Sequence, residues 1–291
     1  MGKQSAPRPI RGVVLFCVAV VLFACLDATA KHLSQHWPVA MLAWGRYVVH
    51  FVLMTAFLAP TWRGRLLATE RPVLQSVRGL SLVAVTVLAM AAFKRMPLAE
   101  ATAVLFASPL LVALLARPIL GEHIGKLRWT AVLLGFTGVV MLTRPGSGLD
   151  PVGVACALAA AVAYAGYQLM TRTLSHVSHP VTMLYYTALA GTVSLSLAQP
   201  LIGPLSWPGW LDGAMIVALG LFGGTGHYLL TRAFREAPAS LLSPLIYTQL
   251  IWAALLGWLV FGNTPSAATI AGMLVIGASG LLIAYDSTRS S

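Results

Sequence analysis

Ten long apolar runs occupy nearly all of this 291-residue chain, near 12–31, 38–58, 76–94, 97–117, 126–143, 151–171, 180–201, 213–233, 238–261 and 265–284. A helix rises about 1.5 Å per residue, so runs of this length match a hydrocarbon layer about 30 Å thick. In that layer no water is available to backbone N–H and C=O groups, which leaves helices or a closed barrel as spanning structures. Barrel strands are about ten residues long and alternate in polarity. These runs are twice that length and do not alternate. The expected fold is an all-α integral membrane protein of ten transmembrane helices. Composition agrees, since 58% of residues are hydrophobic, 9% are charged and the mean hydropathy is +0.82. The connections are short, so the chain forms one membrane domain without an extramembrane module.

The first half of the chain returns in the second. Gly12 is answered by Gly153, Leu33-Ser34 by Leu174-Ser175, Ala92-Phe93 by Ala233-Phe234, Pro97 by Pro238 and Gly121 by Gly262, all at one offset of 141 (153 − 12; 262 − 121). One insertion makes the offset 142 for Gly135 and Gly138, answered by Gly277 and Gly280, and the same offset joins Pro38 and Met41 to Pro180 and Met183. Matched Gly, Pro and Phe that hold register over a half-chain indicate a structural repeat. The repeats are read as 1–145 and 146–291, with five spans each. An odd number of crossings inserts the second repeat upside down relative to the first, the architecture of alternating-access transporters.

Orientation follows from the 19 basic residues. With the N-terminus in the cytoplasm, one side carries Lys3, Arg8, Arg11, Arg63, Arg65, Arg71, Arg78, Arg117, Lys126, Arg128, Arg172, Arg232, Arg235 and Arg289. The other carries Lys31, Lys94, Arg95 and Arg144, with Arg46 inside the second span. Fourteen against four places both termini in the cytoplasm. The net charge of +11 is thus a topology signal and an attraction to anionic membrane lipids, not a nucleic-acid footprint. Ala28-Thr29-Ala30 ends the first apolar run as a signal-peptidase site would. The expectation is that it stays uncleaved, because 12–34 is the repeat partner of 153–175. Cys17, Cys25 and Cys156 all fall within spans at no metal-ligand spacing, so neither a disulfide, a metal site nor a cofactor is expected. Trp37, Trp62, Trp129, Trp207 and Trp210 lie at span ends and read as an interfacial belt.

The strongest local pattern is Pro97-Leu98-Ala99-Glu100-Ala101-Thr102, then Ser108-Pro109 and Gly121-Glu122, followed in the next span by Gly135 and Gly138. Here the chain resembles the EamA family of the drug/metabolite transporter superfamily, over almost its whole length. The resemblance implies two fused five-helix repeats with both termini inside. It also implies export of small organic solutes, with amino-acid and metabolite exporters of the YddG type nearest in length and span number. The second repeat departs from the pattern, since Asn263 answers Glu122 and Leu250 answers Pro109, with Pro244 placed earlier. The paired glycines read as close helix packing. Gly121-Glu122 reads as a cytoplasmic turn in which glycine ends a helix.

Ionisable groups at membrane depth are functional candidates by default. Asp27, Arg46, Glu100 and His227 qualify. Asp27 and Glu100 lie near the outer ends of their spans, and Lys31 follows Asp27 one helical turn later, an ordinary anchoring pair. Arg46 lies deeper and is expected to form a structural ion pair with Asp27 or Glu100, the alternative being a proton or substrate role. Pro109 and Pro244 break their spans near mid-membrane, where freed backbone groups need a neighbour or a cavity. Around the breaks, four pairs stand at the repeat offset of 141: Phe23 with Tyr164, Thr86 with His227, Phe106 with Tyr247, Ser108 with Gln249. Repeat partners sit at matching depths. The substrate site is therefore expected to use Thr86, Phe106, Ser108, Tyr164, His227, Tyr247 and Gln249, giving apolar walls and uncharged donors and acceptors for a small-molecule solute. Helix packing is the alternative for each of them.

The function read from these features is a secondary transporter of the cytoplasmic membrane, acting as a monomer on a small organic solute; the resemblance implies export of an amino acid or related metabolite, the alternative within the superfamily being drugs or other metabolites. An intramembrane enzyme would need a nucleophile with a base, paired carboxylates or a metal cluster, and no GxSxG or HExxH pattern occurs. A phosphate-binding Walker A loop is missing too. A channel would call for a repeated filter segment or rings of charge, which the chain lacks.

Overall fold

The computed structural model describes residues 9–120, 125–143, 146–175, 177–202 and 208–289. Among these, every regular element is helical. The first half contains α1 (Pro9–Ser34), α2 (Val39–Trp62), α3 (Pro72–Arg95), α4 (Leu98–Leu105), α5 (Ser108–Leu120) and α6 (Lys126–Thr143). The second contains α7 (Pro151–Ser175), α8 (Pro180–Ile202), α9 (Trp210–Glu236), α10 (Ala239–Leu242), a 3-10 turn (Ser243–Tyr247), α11 (Thr248–Phe261) and α12 (Ala267–Arg289). Nine spans among the described residues are long and apolar enough to cross a membrane, and the apolar part of α6, Trp129–Thr143, is shorter. Large apolar side chains such as Phe57, Leu133, Leu197, Ile251 and Leu274 face outward, as a lipid-facing surface requires.

Proline decides where the fourth and ninth spans break. Phe106 and Ala107 form a turn ahead of Ser108-Pro109, and the chain re-enters a helix with proline at its second residue, where the missing N–H costs nothing. In the second half, Pro244 opens the 3-10 turn that separates α10 from α11. Gly262 ends α11 at φ +68°, with its N–H donating to Trp258 O at 2.9 Å and the Asn263 N–H donating to Gly257 O at 3.0 Å. Glycine adopts that left-handed backbone without a Cβ penalty. Its repeat partner Gly121, like Glu122 and Trp207, lies outside the described residues.

The two halves pack through contacts that exchange when the repeats are swapped. Helix α1 lies along α9 as α3 lies along α7, α2 meets α9 as α8 meets α3, and α6 pairs with its own partner α12. The exchange holds at single residues. A Cβ on Gly12 would stand 2.5 Å from the Cβ of Ala237, and one on Gly153 would stand 2.7 Å from Cγ of Met96. Both steps, 12 to 153 and 96 to 237, equal the repeat offset of 141. Beside these contacts, Arg11 pairs with Glu236 and Arg95 with Asp150, each at 3.6 Å. Arg95 and Glu236 are again one repeat offset apart (236 − 95). The chain is thus a ten-span membrane protein of two inverted five-helix repeats.

Of the paired glycines, Gly135, Gly138 and Gly280 sit in close packing as expected, and Gly277 does not. A Cβ on Gly138 would lie 2.9 Å from Gly272 O, so the close crossing of α6 and α12 uses Gly272 instead of Gly277 or Gly280. Gly277 has open space, whereas Gly280 makes room for the Tyr247 ring, which any Cβ there would overlap.

Candidate solute site between the two halves

Gln249 is the second residue of α11, directly after the break that Pro244 initiates. The break lets its amide cross to α1, where Nε2 donates to Asp27 Oδ2 at 2.9 Å. Arg46 of α2 donates from Nη1 to Thr86 Oγ1 of α3 at 3.2 Å. Thr86 gives its own proton to Leu82 O at 3.0 Å, so the Tyr47 hydroxyl, 2.9 Å from the same Oγ1, must be the donor there. The Arg46 guanidinium lies over the Tyr47 ring at 5.6 Å. Gly223 of α9 leaves it space, because a Cβ there would meet Nε at 3.2 Å and Nη2 at 3.3 Å.

The expected Arg46 ion pair is not formed. Ion pairs do form at helix ends, Arg11 with Glu236 and Arg95 with Asp150. Asp27 and Arg46 feel each other's charge, yet each is held by a neutral partner. Glu100 is elsewhere: it is 8% exposed, and its Oε1 accepts from Thr269 Oγ1 of α12 at 3.0 Å. Lys31 is not anchored on Asp27 either. Its Nζ donates to Phe93 O at 2.9 Å and Met96 O at 2.6 Å, satisfying carbonyls that the end of α3 leaves without helical partners. The physical reason is common to all three. Inside a bundle a charged group takes whichever acceptors or donors face it, and spacing along one helix does not reveal those on another.

Of the predicted set, the fold brings together Phe23 with His227, ring centroids 4.9 Å apart, and Phe106 with Tyr247 at 5.3 Å. Phe106 and Tyr247 are repeat partners, so this contact lies on the pseudo-twofold axis. Tyr164 stacks on Tyr167 at 5.7 Å and lies within reach of the Asp27 charge. Asp27, Arg46, Tyr164, His227, Tyr247 and Gln249 face the interior yet remain half-buried. Thr86 and Ser108 are 3% exposed and Phe106 8%. Thr86 is engaged by Arg46 and Tyr47, and Ser108 is enclosed at the start of α5, so neither is free to meet a solute in this conformation.

Arg78 is the polar residue that sequence reasoning misplaced. Counted there with the cytoplasmic-side charges, it is 2% exposed and bonded to α7 and α8. Its removal leaves the orientation count at thirteen against four (14 − 1). The one available signal was its position, just inside an apolar run. His50, one turn beyond Arg46 and 6% exposed, was also missed. Gly224 makes room for its ring, since a Cβ there would lie 3.0 Å from its Cδ2.

Two inverted helical repeats meeting at a polar centre suit a carrier, and sequence comparison decides which kind. The family model described as the EamA-like transporter family matches residues 10–144 and again 151–285. The chain belongs to this family. Individual relatives cover it almost from end to end. The S-adenosylmethionine uptake transporter of Rickettsia prowazekii is 26% identical over 97% of this chain and 95% of its own. The riboflavin transporter of Vibrio cholerae is 26% identical over 98% and 96%. The pseudopaline exporter of Pseudomonas aeruginosa is 28% identical over 91% and 93%. One crystal structure superposes with a TM-score of 0.69 at 22% identity, covering 96% of this chain and 98% of that one, which bears on the fold alone. The protein is therefore a multi-pass membrane transporter of the drug/metabolite transporter superfamily, whose relatives carry small molecules and are transporters, not enzymes.

Proposed function

We propose that this protein is a secondary transporter of the bacterial inner membrane, with both termini cytoplasmic, that exports a small zwitterionic solute, an amino acid or a close relative, by alternating access. The observation that carries the reading is the placement of Asp27 and Arg46. An acidic and a basic side chain face one interior from α1 and α2, near enough to interact and yet each retained by a neutral group. A zwitterion fits such a pair. Its carboxylate takes the N–H donors that Arg46 does not direct to Thr86, and its ammonium takes the Asp27 oxygen that Gln249 leaves free. Tyr164, Tyr247, Phe23 and His227 supply the walls for the rest of the solute. Because these groups come from both repeats, a rocking of one repeat against the other would change the site's access without dismantling either helix bundle.

Outward direction rests on the resemblance of the Pro97–Gly138 pattern, and the relatives are divided on it, one being an uptake transporter and another an exporter. Their solutes also differ, which favours a second reading in which the cargo is a larger metabolite. The deciding experiment is counterflow in proteoliposomes of both orientations with a panel of amino acids, riboflavin and S-adenosylmethionine, with and without a pH gradient. Saturable counterflow of neutral amino acids, lost for their decarboxylated amines, is expected. Carriage of riboflavin alone would replace the amino-acid reading.

A further inference from the structure

In the second turn of α3, Arg78 is 2% exposed. Its Nε donates to Thr171 Oγ1 at 2.7 Å, Nη1 to Met183 O at 3.0 Å and Thr187 Oγ1 at 3.1 Å, and Nη2 to the Tyr167 hydroxyl at 2.8 Å. The guanidinium stands 4.5 Å over the Tyr167 ring. Every acceptor is neutral and belongs to α7 or α8, in the other repeat. The two threonines are oriented for this, since each passes its own proton to a carbonyl of its helix. Among the described residues no carboxylate pairs with it, and a guanidinium buried without a counter-anion carries a large desolvation cost. One turn towards the start of the same helix, Gln75 is 0% exposed and neither atom of its amide has a hydrogen-bond partner among the described residues. That is a second cost at the same junction between the repeats.

Both groups stand on the helix that also carries Thr86 of the solute site. Thr86, which holds Arg46, is further along α3 by a rise of about 12 Å. We propose that Arg78 and Gln75 form an anion-binding station, closed in this conformation by α7 and α8, which takes the solute's carboxylate when α3 parts from them and passes it to Arg46. The neutral acceptors are then a resting place for the guanidinium. They hold it firmly enough to shut this side and give way to a carboxylate, whose charge-assisted bonds are stronger. The proposal rests on the reading above that the solute carries a carboxylate.

The test does not require the solute. In a protein whose Cys17, Cys25 and Cys156 are replaced by serine, Gln75→Cys is reacted with an anionic sulfonate and a cationic trimethylammonium thiosulfonate, each applied to one face of the membrane at a time. The expected result is labelling from one face only, with the anionic reagent favoured about tenfold beyond its ratio for a free thiol, as a nearby positive charge dictates. Arg78→Gln should abolish that preference and Arg78→Lys should keep it. No labelling from either face, or no charge preference with Arg78 intact, would make Arg78 a permanent clamp and overturn the station without recourse to any Arg78 variant. If the preference depends on Arg78 while no amino acid is carried, the station stands and the amino-acid reading falls. Amino-acid transport without the preference gives the reverse.

Discussion

At the scale of single residues, the interior of this transporter pairs ionisable side chains with neutral ones. Asp27 leans on Gln249 and Arg46 on Thr86, so removing one charge does not strand its opposite. Arg46→Gln should therefore leave a folded protein and raise the half-saturation concentration for a carboxylate solute roughly 10- to 100-fold, the equivalent of about 1.5–3 kcal/mol for charge-assisted hydrogen bonds. Asp27→Asn should do the same for the ammonium end. Proteoliposome kinetics beside thermal melting would check both, and a collapse of melting temperature with Arg46→Gln would return Arg46 to a structural role. Outside the membrane, His179 adds a pH dependence. Partial burial and then the Arg235 guanidinium hold its imidazole below the usual value near 6.5. Its Nε2 faces Arg235 Nη2 at 2.9 Å and its Nδ1 the Val181 N–H at 3.2 Å, of which a neutral ring can accept one. A depressed base binds fewer protons folded than unfolded, so the stability it contributes is full above pH of about 6.5 and lost as pH falls through the folded value. His179→Gln should flatten the decline in melting temperature between neutral and mildly acidic pH.

At the scale of helices, glycine sets how closely each pair approaches and hence how it is rotated. Two positions of one sequence pattern behave oppositely. Gly280→Ala places a methyl group in the Tyr247 ring, whereas Gly277→Ala meets nothing within 4 Å. Forcing an extra methyl into a packed site costs about 1–3 kcal/mol. The first variant should lower the melting temperature and, by moving Tyr247, the apparent affinity, while the second should change neither. Gly191→Ala, which would overlap the Tyr47 ring, should act through the Tyr47–Thr86–Arg46 chain in the same way. The broken spans show how much of this scale is legible. Pro109 and Pro244 announced both breaks, yet only the structure shows the 3-10 turn in the second and the crossing of the Gln249 amide to α1.

At the scale of the whole molecule, the inverted repeat explains why contacts come in pairs. Arg11–Glu236 and Arg95–Asp150 tie equivalent helix ends. If both termini are cytoplasmic, the first lies inside and the second outside. Cysteines placed at 63–71 and 125–126 should then react with impermeant reagents from the cytoplasmic face, and those at 146–150 from the opposite one. Reversed accessibility at any of these loops would rule out the orientation.

The ten spans, the duplication and the two proline breaks were determined by the sequence alone. Apolar length, recurrence and missing backbone donors are properties of a linear string. The pairing of polar groups was decided only by the tertiary structure. Asp27 and Gln249 are 222 residues apart, and Arg46 and Thr86 40 apart on different helices. Which atoms meet depends on helix rotation, which contacts such as Gly223 against Arg46 and Gly280 against Tyr247 set. Arg78 makes the point most plainly. Its charge was visible in the sequence, but its burial among Thr171, Tyr167, Met183 and Thr187 followed from the way α7 and α8 close over α3.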